Sequence, residues 1–179
     1  MKNNCWHNFI LTFVLVFFLF ACVQDEKQKE LPFKSKEEYE QLMIKSHQAF
    51  VQKEKEKIER FIDSSGFLFK ETGTGLRYHI YHETKGEKID KGELAIMTYV
   101  LSSIDGDTLY LSPDGKVQEF LVDYDNVESG LHEGIKQMKI GEKALFILPT
   151  HLAHGVTGDQ AAIPSQTTLI YNIHLLAKR

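Results

Sequence analysis

The run Gly130-Leu131-His132-Glu133-Gly134-Ile135-Lys136-Gln137-Met138-Lys139-Ile140-Gly141-Glu142-Lys143, continued by Ala144 through Pro149, reads as a short helix, a glycine stop and a strand. Val127, Leu131 and Ile135 are spaced four apart and fall on one helical face. Gly141 is expected to end the helix, because glycine enters the left-handed region without steric penalty. Beyond it, Ala144, Phe146 and Leu148 alternate with Leu145 and Ile147, so the strand is apolar on both faces.

Downstream, Thr150 to Thr167 reads as a long loop. Thr168 to Leu176 reads as a last strand with Leu169, Tyr171, Ile173 and Leu175 on one face. Upstream, strands are predicted at Phe67–Lys70, Leu76–His82, Glu93–Leu101, Thr108–Leu111 and Phe120–Val122. Thr72-Gly73-Thr74-Gly75, Ile104-Asp105-Gly106-Asp107 and Ser112-Pro113-Asp114-Gly115 supply turns and a loop between them. Many short-linked strands and one late helix predict an α+β fold, an antiparallel sheet with a helix on one face.

A long helix is predicted ahead of the strands. Ser35 and Glu38 have capping-box spacing, and Tyr39, Leu42, Met43, Phe50, Ile58, Phe61 and Ile62 form a helical stripe. Lys53 to Lys57 reads as a solvated polar arc. Asp63-Ser64-Ser65-Gly66 ends the helix. The stripe can pack on the domain, pair with another copy, stand off the membrane, or contact a partner in an envelope machine.

The chain begins with a positive Lys2 and an apolar run from Phe9 to Phe20. That run is short for a bilayer span, which needs about 20 residues, and suits a secretory signal. Leu19-Phe20-Ala21-Cys22 resembles a bacterial lipobox. The resemblance implies a signal peptide over 1–21, lipidation of Cys22 and a tether over 22–34. It makes the chain a membrane-anchored lipoprotein on the periplasmic side of the envelope, assigned to the outer membrane. Acyl chains hold stably only in combination. The other cysteine, Cys5, also lies in the targeting region, so the folded part holds no internal disulfide. A net charge of −4 gives no electrostatic reason to expect nucleic acid.

The strand ending in Tyr99, the Asp105-Gly106 turn, the Gly130–Lys143 block, Leu148-Pro149, Leu152-Ala153-His154-Gly155, Ile163-Pro164 and the strand Thr168–Leu176 resemble the FKBP-type peptidyl-prolyl isomerases. The preceding helix and the lipobox resemble, more narrowly, the gliding motility-associated FKBP lipoproteins of the GldI type. The resemblance implies a half-barrel sheet wrapped around the short helix, with the helix and lead-in strands at 35–90 and the FKBP-like domain at 91–179. It implies isomerisation of X-Pro bonds in proline-containing or unfolded polypeptides, with no cofactor. A non-catalytic chaperone or a structural envelope subunit stays open beside it.

Carried over by position, the resemblance implies catalytic roles for Tyr99, Tyr110, Phe120, His154 and Tyr171. It implies a substrate pocket completed by Leu109, Val127, Glu128, Leu131 and Ile163. Five positions depart from the family. Leu109 stands for phenylalanine, Tyr110 for aspartate, Glu128 for an aliphatic residue, Leu131 for tryptophan and His154 for tyrosine. The pair His151 and His154 lies in a loop without an acidic or cysteine partner at ligand spacing, so no metal site is expected. Tyr78, His79, Tyr81 and His82 alternate on a strand and suit cross-strand packing.

Overall fold

The computed structural model describes residues 35–113 and 116–179. The predicted signal, Cys22, the tether and the loop residues Asp114 and Gly115 lie outside the described residues. The chain divides into two compact units, residues 1–46 and 47–179.

Helix α1 spans Lys36–Ser65. Its start follows the predicted cap, with the Glu38 N–H donating to Ser35 Oγ at 3.2 Å. In the first unit Tyr39, Leu42 and Met43 are exposed. The helix stops before Gly66, which takes φ 71°. No helix among the described residues is long and apolar enough to cross a membrane.

The second unit holds one antiparallel sheet of seven strands: β1 Lys70–Glu71, β2 Arg77–His82, β3 Leu94–Ser103, β4 Thr108–Leu111, β5 Gln118–Leu121, β6 Lys143–Leu148 and β7 Leu169–Lys178. The order is β1-β2-β6-β7-β3-β4, with β5 also on β3. Strand β3 pairs β7 along its length. Its other edge is shared: Leu94–Met97 pairs β5 and Val100–Ser102 pairs β4. The strand predicted at Phe67–Lys70 shrinks to Lys70–Glu71. The reason is local: His79 Nδ1 lies 3.0 Å from the Leu68 carbonyl, and the Phe67 ring stacks on His79 at 4.8 Å, so a side chain occupies the place of a strand partner.

Strand β6 is covered on both faces, as its alternation requires. Ala144, Phe146 and Leu148 join Leu169, Tyr171, Ile173 and Leu175 in the main core with Leu131 and Ile135. Ile147 and Ile170 form a second cluster with Ile58 of α1. The predicted polar arc needs correction here. Glu54 lies one turn before Ile58 on the same helical face, and it is 9% exposed rather than solvated. Its Oε1 accepts from the Thr150 N–H at 2.8 Å and from the Thr150 and Thr168 hydroxyls, each at 2.6 Å.

Helix α2 is Ser129–Ile135, shorter than predicted. The chain leaves it before Gly141 because the next residues are tied elsewhere, with the Ile140 N–H on the Glu87 carbonyl at 2.9 Å. Gly141, φ 86°, instead forms the turn into β6, and its N–H reaches the Leu175 carbonyl at 2.7 Å. The buried Glu142 fixes that turn by accepting from the Lys139 N–H at 2.8 Å. Gly130 and Gly134 give α2 a bare face. A Cβ on Gly134 would sit 2.5 Å from Phe146 Cε2, and one on Gly130 would sit 2.6 Å from Leu148 Cγ. The helix backbone therefore rests directly on β6.

Candidate functional site

Between α2 and the sheet lies a cavity of about 310 Å³. Strand β3 sends Met97, Tyr99 and Leu101 to it, every second residue, as strand geometry demands. Tyr110 comes from β4, Phe120 from β5 and Tyr171 from β7. Val127 and Glu128 come from the residues just before α2 and Leu131 from its first turn, and His154, Asp159 and Ile163 from the 150–167 segment. Nine of the ten carried-over positions thus meet in one place. Leu109 differs: it lines a separate cavity of about 450 Å³ with Phe50, Lys53, Lys57, Ile104 and Pro164. Neighbouring strand residues face opposite ways, so Tyr110 and Leu109 serve different cavities. The larger cavity lacks the converging aromatic rings of the smaller one.

The walls combine aromatic and aliphatic side chains with polar ones, among them Gln118, Glu119 and Asn126. The Tyr99 and Tyr171 rings meet at 5.5 Å between centroids, tilted by 57°. Phe120 meets His132 edge-on at 5.4 Å. Two polar arms enter. In the first, the Tyr171 hydroxyl donates to Glu128 Oε1 at 2.8 Å, and His154 Nε2 lies 3.0 Å from the same oxygen. Burial, then the Glu128 charge, push the Tyr171 phenol far up, so it stays a donor. Burial followed by Glu128 also raises Tyr99. In the second arm the Tyr110 hydroxyl donates to Asp159 Oδ2 at 2.5 Å, while Asp159 Oδ1 accepts from the Ala161 and Ile163 N–H groups, each at 2.8 Å. The His-x-x-His pair is split. His151 Nε2 lies 2.8 Å from the Thr74 carbonyl, away from His154.

Asp159 was not legible as a site residue. It lies in an irregular segment, and its bond to Tyr110 crosses 49 positions. Met97 and Leu101 were legible in principle, since alternation from Tyr99 reaches both. The Tyr110 bond, first among its causes, holds the Asp159 carboxyl down at about 2. A depressed carboxyl contributes stability that is complete above its unfolded value of about 3.9 and is lost as pH falls through its folded value. Acidification is therefore expected to erode this contribution below pH about 4 and to protonate Asp159 in the folded protein only as pH approaches about 2. Titration of the Asp159 carboxyl signal by NMR checks this. Tyr110→Phe should move its midpoint up towards the ordinary carboxylate range, and an unmoved midpoint refutes the role given to Tyr110.

The sequence pattern of the family described as FKBP-type peptidyl-prolyl cis-trans isomerase matches residues 85–176. "Probable FKBP-type peptidyl-prolyl cis-trans isomerase FkpA" of Neisseria meningitidis is 27% identical over 154 residues, 85% of this chain and 56% of that protein. FKBP-type peptidyl-prolyl cis-trans isomerase FkpA of Escherichia coli is 33% identical over 127 residues, 69% of this chain and 44% of that protein. The chain spans about half the length of these curated relatives. The crystal structure of FkpA from Escherichia coli shares the fold, with a TM-score of 0.64 and 24% identity over 100% of this chain and 98% of that one. The crystal structure of AtFKBP13 gives a TM-score of 0.58 at 25% identity, over 63% of this chain and 99% of that one. The matched segment contains every residue that lines the smaller cavity, and the chain belongs to the FKBP-type peptidyl-prolyl cis-trans isomerase family.

Proposed function

We propose that the chain is a peptidyl-prolyl cis-trans isomerase of the cell envelope that assists folding of exported proteins. The observation that carries this is the convergence of Tyr99, Phe120, Val127, Leu131, Ile163 and Tyr171 on one cavity, entered by two hydrogen-bonded polar arms. Amide resonance sets a rotation barrier of about 18–20 kcal/mol. A planar amide is more polar than a twisted one, so an apolar wall favours the twisted form relative to water. Donors fixed at the wall add to this. The Tyr99 hydroxyl has no hydrogen-bond partner among the described residues and is free to donate to a substrate amide. Each 1.36 kcal/mol removed from the barrier gives about a tenfold rate. The uncatalysed step takes tens to hundreds of seconds, so modest catalysis is useful to a folding chain. No step needs a cofactor.

The proposed organisation is a signal at 1–21, a lipidated Cys22 with a tether to residue 34, a helix with lead-in strands at 35–90 and an FKBP-like domain at 91–179. The lipobox-like Leu19–Cys22 supports a lipid anchor on the periplasmic side, which we place at the outer membrane. With the helix, it supports a place among the gliding motility-associated, GldI-type lipoproteins, where α1 contacts an envelope partner. A second reading, capture of unfolded polypeptide without catalysis, is favoured by one observation. Tyr110, at the position of the family's aspartate, has its hydroxyl already committed to Asp159.

One assay separates the two. The purified chain is expected to accelerate a proline-limited refolding reaction. Bound but unaccelerated client supports the second reading, and neither binding nor acceleration by folded protein sinks both. Cys22→Ser should release or misprocess the protein; unchanged processing together with unchanged fractionation removes the anchor.

A further inference from the structure

We infer that Glu128 makes the pocket selective for prolyl segments carrying lysine or arginine within one residue of the proline, its Oε2 receiving the cation. This rests on the proposed binding of proline segments in the same cavity, and it names which segments bind best.

The Glu128 side chain is 8% exposed and lines the cavity. Both of its protein hydrogen bonds, from Tyr171 and His154, fall on Oε1. Oε2 accepts none from the described residues. Yet among those residues no buried side-chain oxygen or nitrogen lacks a partner. Oε2 is therefore not sealed in. It opens onto the cavity that its side chain lines.

The surrounding charge has one sign. The lining includes Glu119, Glu128 and Asp159 and no lysine or arginine. Glu119 is taken up by Arg179 at 2.7 Å, and Asp159 spends both oxygens on Tyr110 and two backbone N–H groups. His154 is the lining residue able to become cationic, and it already sits on Oε1. Glu128 thus offers a nearly buried carboxylate with a spare acceptor at the edge of an apolar pocket. Such an oxygen gains most from a charged donor, whose bond is shorter and stronger than a neutral one. An acidic neighbour of the proline meets like charge there and is rejected.

The test uses the full chain and short peptides that differ only beside the proline: Lys, Arg, Leu or Glu, placed before it or after it. Binding is read by fluorescence anisotropy and cis-trans exchange by NMR. Wild type should favour Lys and Arg over Glu by roughly tenfold or more, and added salt should shrink that ratio. In Glu128→Gln the ratio should fall towards one, whatever the absolute level. Equal binding of all peptides by wild type overturns the inference on its own, without any variant. A preference that survives Glu128→Gln overturns the assignment to Glu128. Exchange accelerated equally for every peptide sinks the selectivity and leaves the isomerase reading standing. Selective binding without acceleration does the reverse.

Discussion

Replacing Glu54 by alanine is expected to lower stability by about 2–4 kcal/mol. Three donors converge on Glu54 Oε1: the Thr150 N–H and the hydroxyls of Thr150 and Thr168. The N–H opens the 3₁₀ turn Thr150–Leu152 and has no partner within that turn. Removal of the carboxylate strands that N–H in a buried place. Each stranded buried group costs about 1–3 kcal/mol. The hydroxyls can rotate to other acceptors and the N–H cannot, which keeps the total below a threefold sum. Glu54→Gln keeps one acceptor oxygen and should cost less. Urea unfolding followed by far-UV circular dichroism reads the difference. An alanine variant as stable as wild type refutes the clamp. The same change should also weaken peptide binding, because Thr150 and Thr168 bracket the segment that carries His154, Asp159 and Ile163.

Gly134→Ala is expected to destabilise by about 1–3 kcal/mol. Helix propensity alone predicts the opposite, since alanine is favoured over glycine by about 1 kcal/mol inside a helix. Packing wins because the new Cβ falls 2.5 Å from Phe146 Cε2 and 2.6 Å from Cδ2. The Phe146 ring is fully buried on β6 and has nowhere to retreat. Adding Phe146→Leu should recover part of the loss, and the double-mutant cycle gives the coupling. A stabilised Gly134→Ala variant would mean that helix and strand separate without penalty.

The fold was legible where pattern and packing agree. The alternation in Ala144–Leu148 predicted a strand covered on both sides, and two clusters cover it; the single apolar face predicted for Leu169, Tyr171, Ile173 and Leu175 lies in the main core. It was less legible where side chains replace backbone partners. His79 caps the Leu68 carbonyl and shortens β1, and no periodicity announces that. Glu54 misled for a related reason. A glutamate among lysines has the composition of a solvated face, and only the position of Ile58, four residues on, hints at the sheet beneath it. For the site, the apolar walls followed from alternation and the resemblance. The polar arms did not. Glu128 to Tyr171 spans 43 positions and Glu128 to His154 spans 26, so neither pair lies within the reach of a local pattern.

Strand β7 has a consequence for how the protein comes into being. It lies between β3 and β6, although it is the last strand in sequence, and it pairs Ala95 with Lys178. No rung of either central ladder can form until residues 169–178 are available. A polypeptide delivered from its N-terminus therefore carries two open strand edges throughout its delivery, and open edges invite pairing with other chains. Long-range closure is also slow compared with local contacts. A chain built this way completes its sheet only in the last step, and is vulnerable to stray pairing until then.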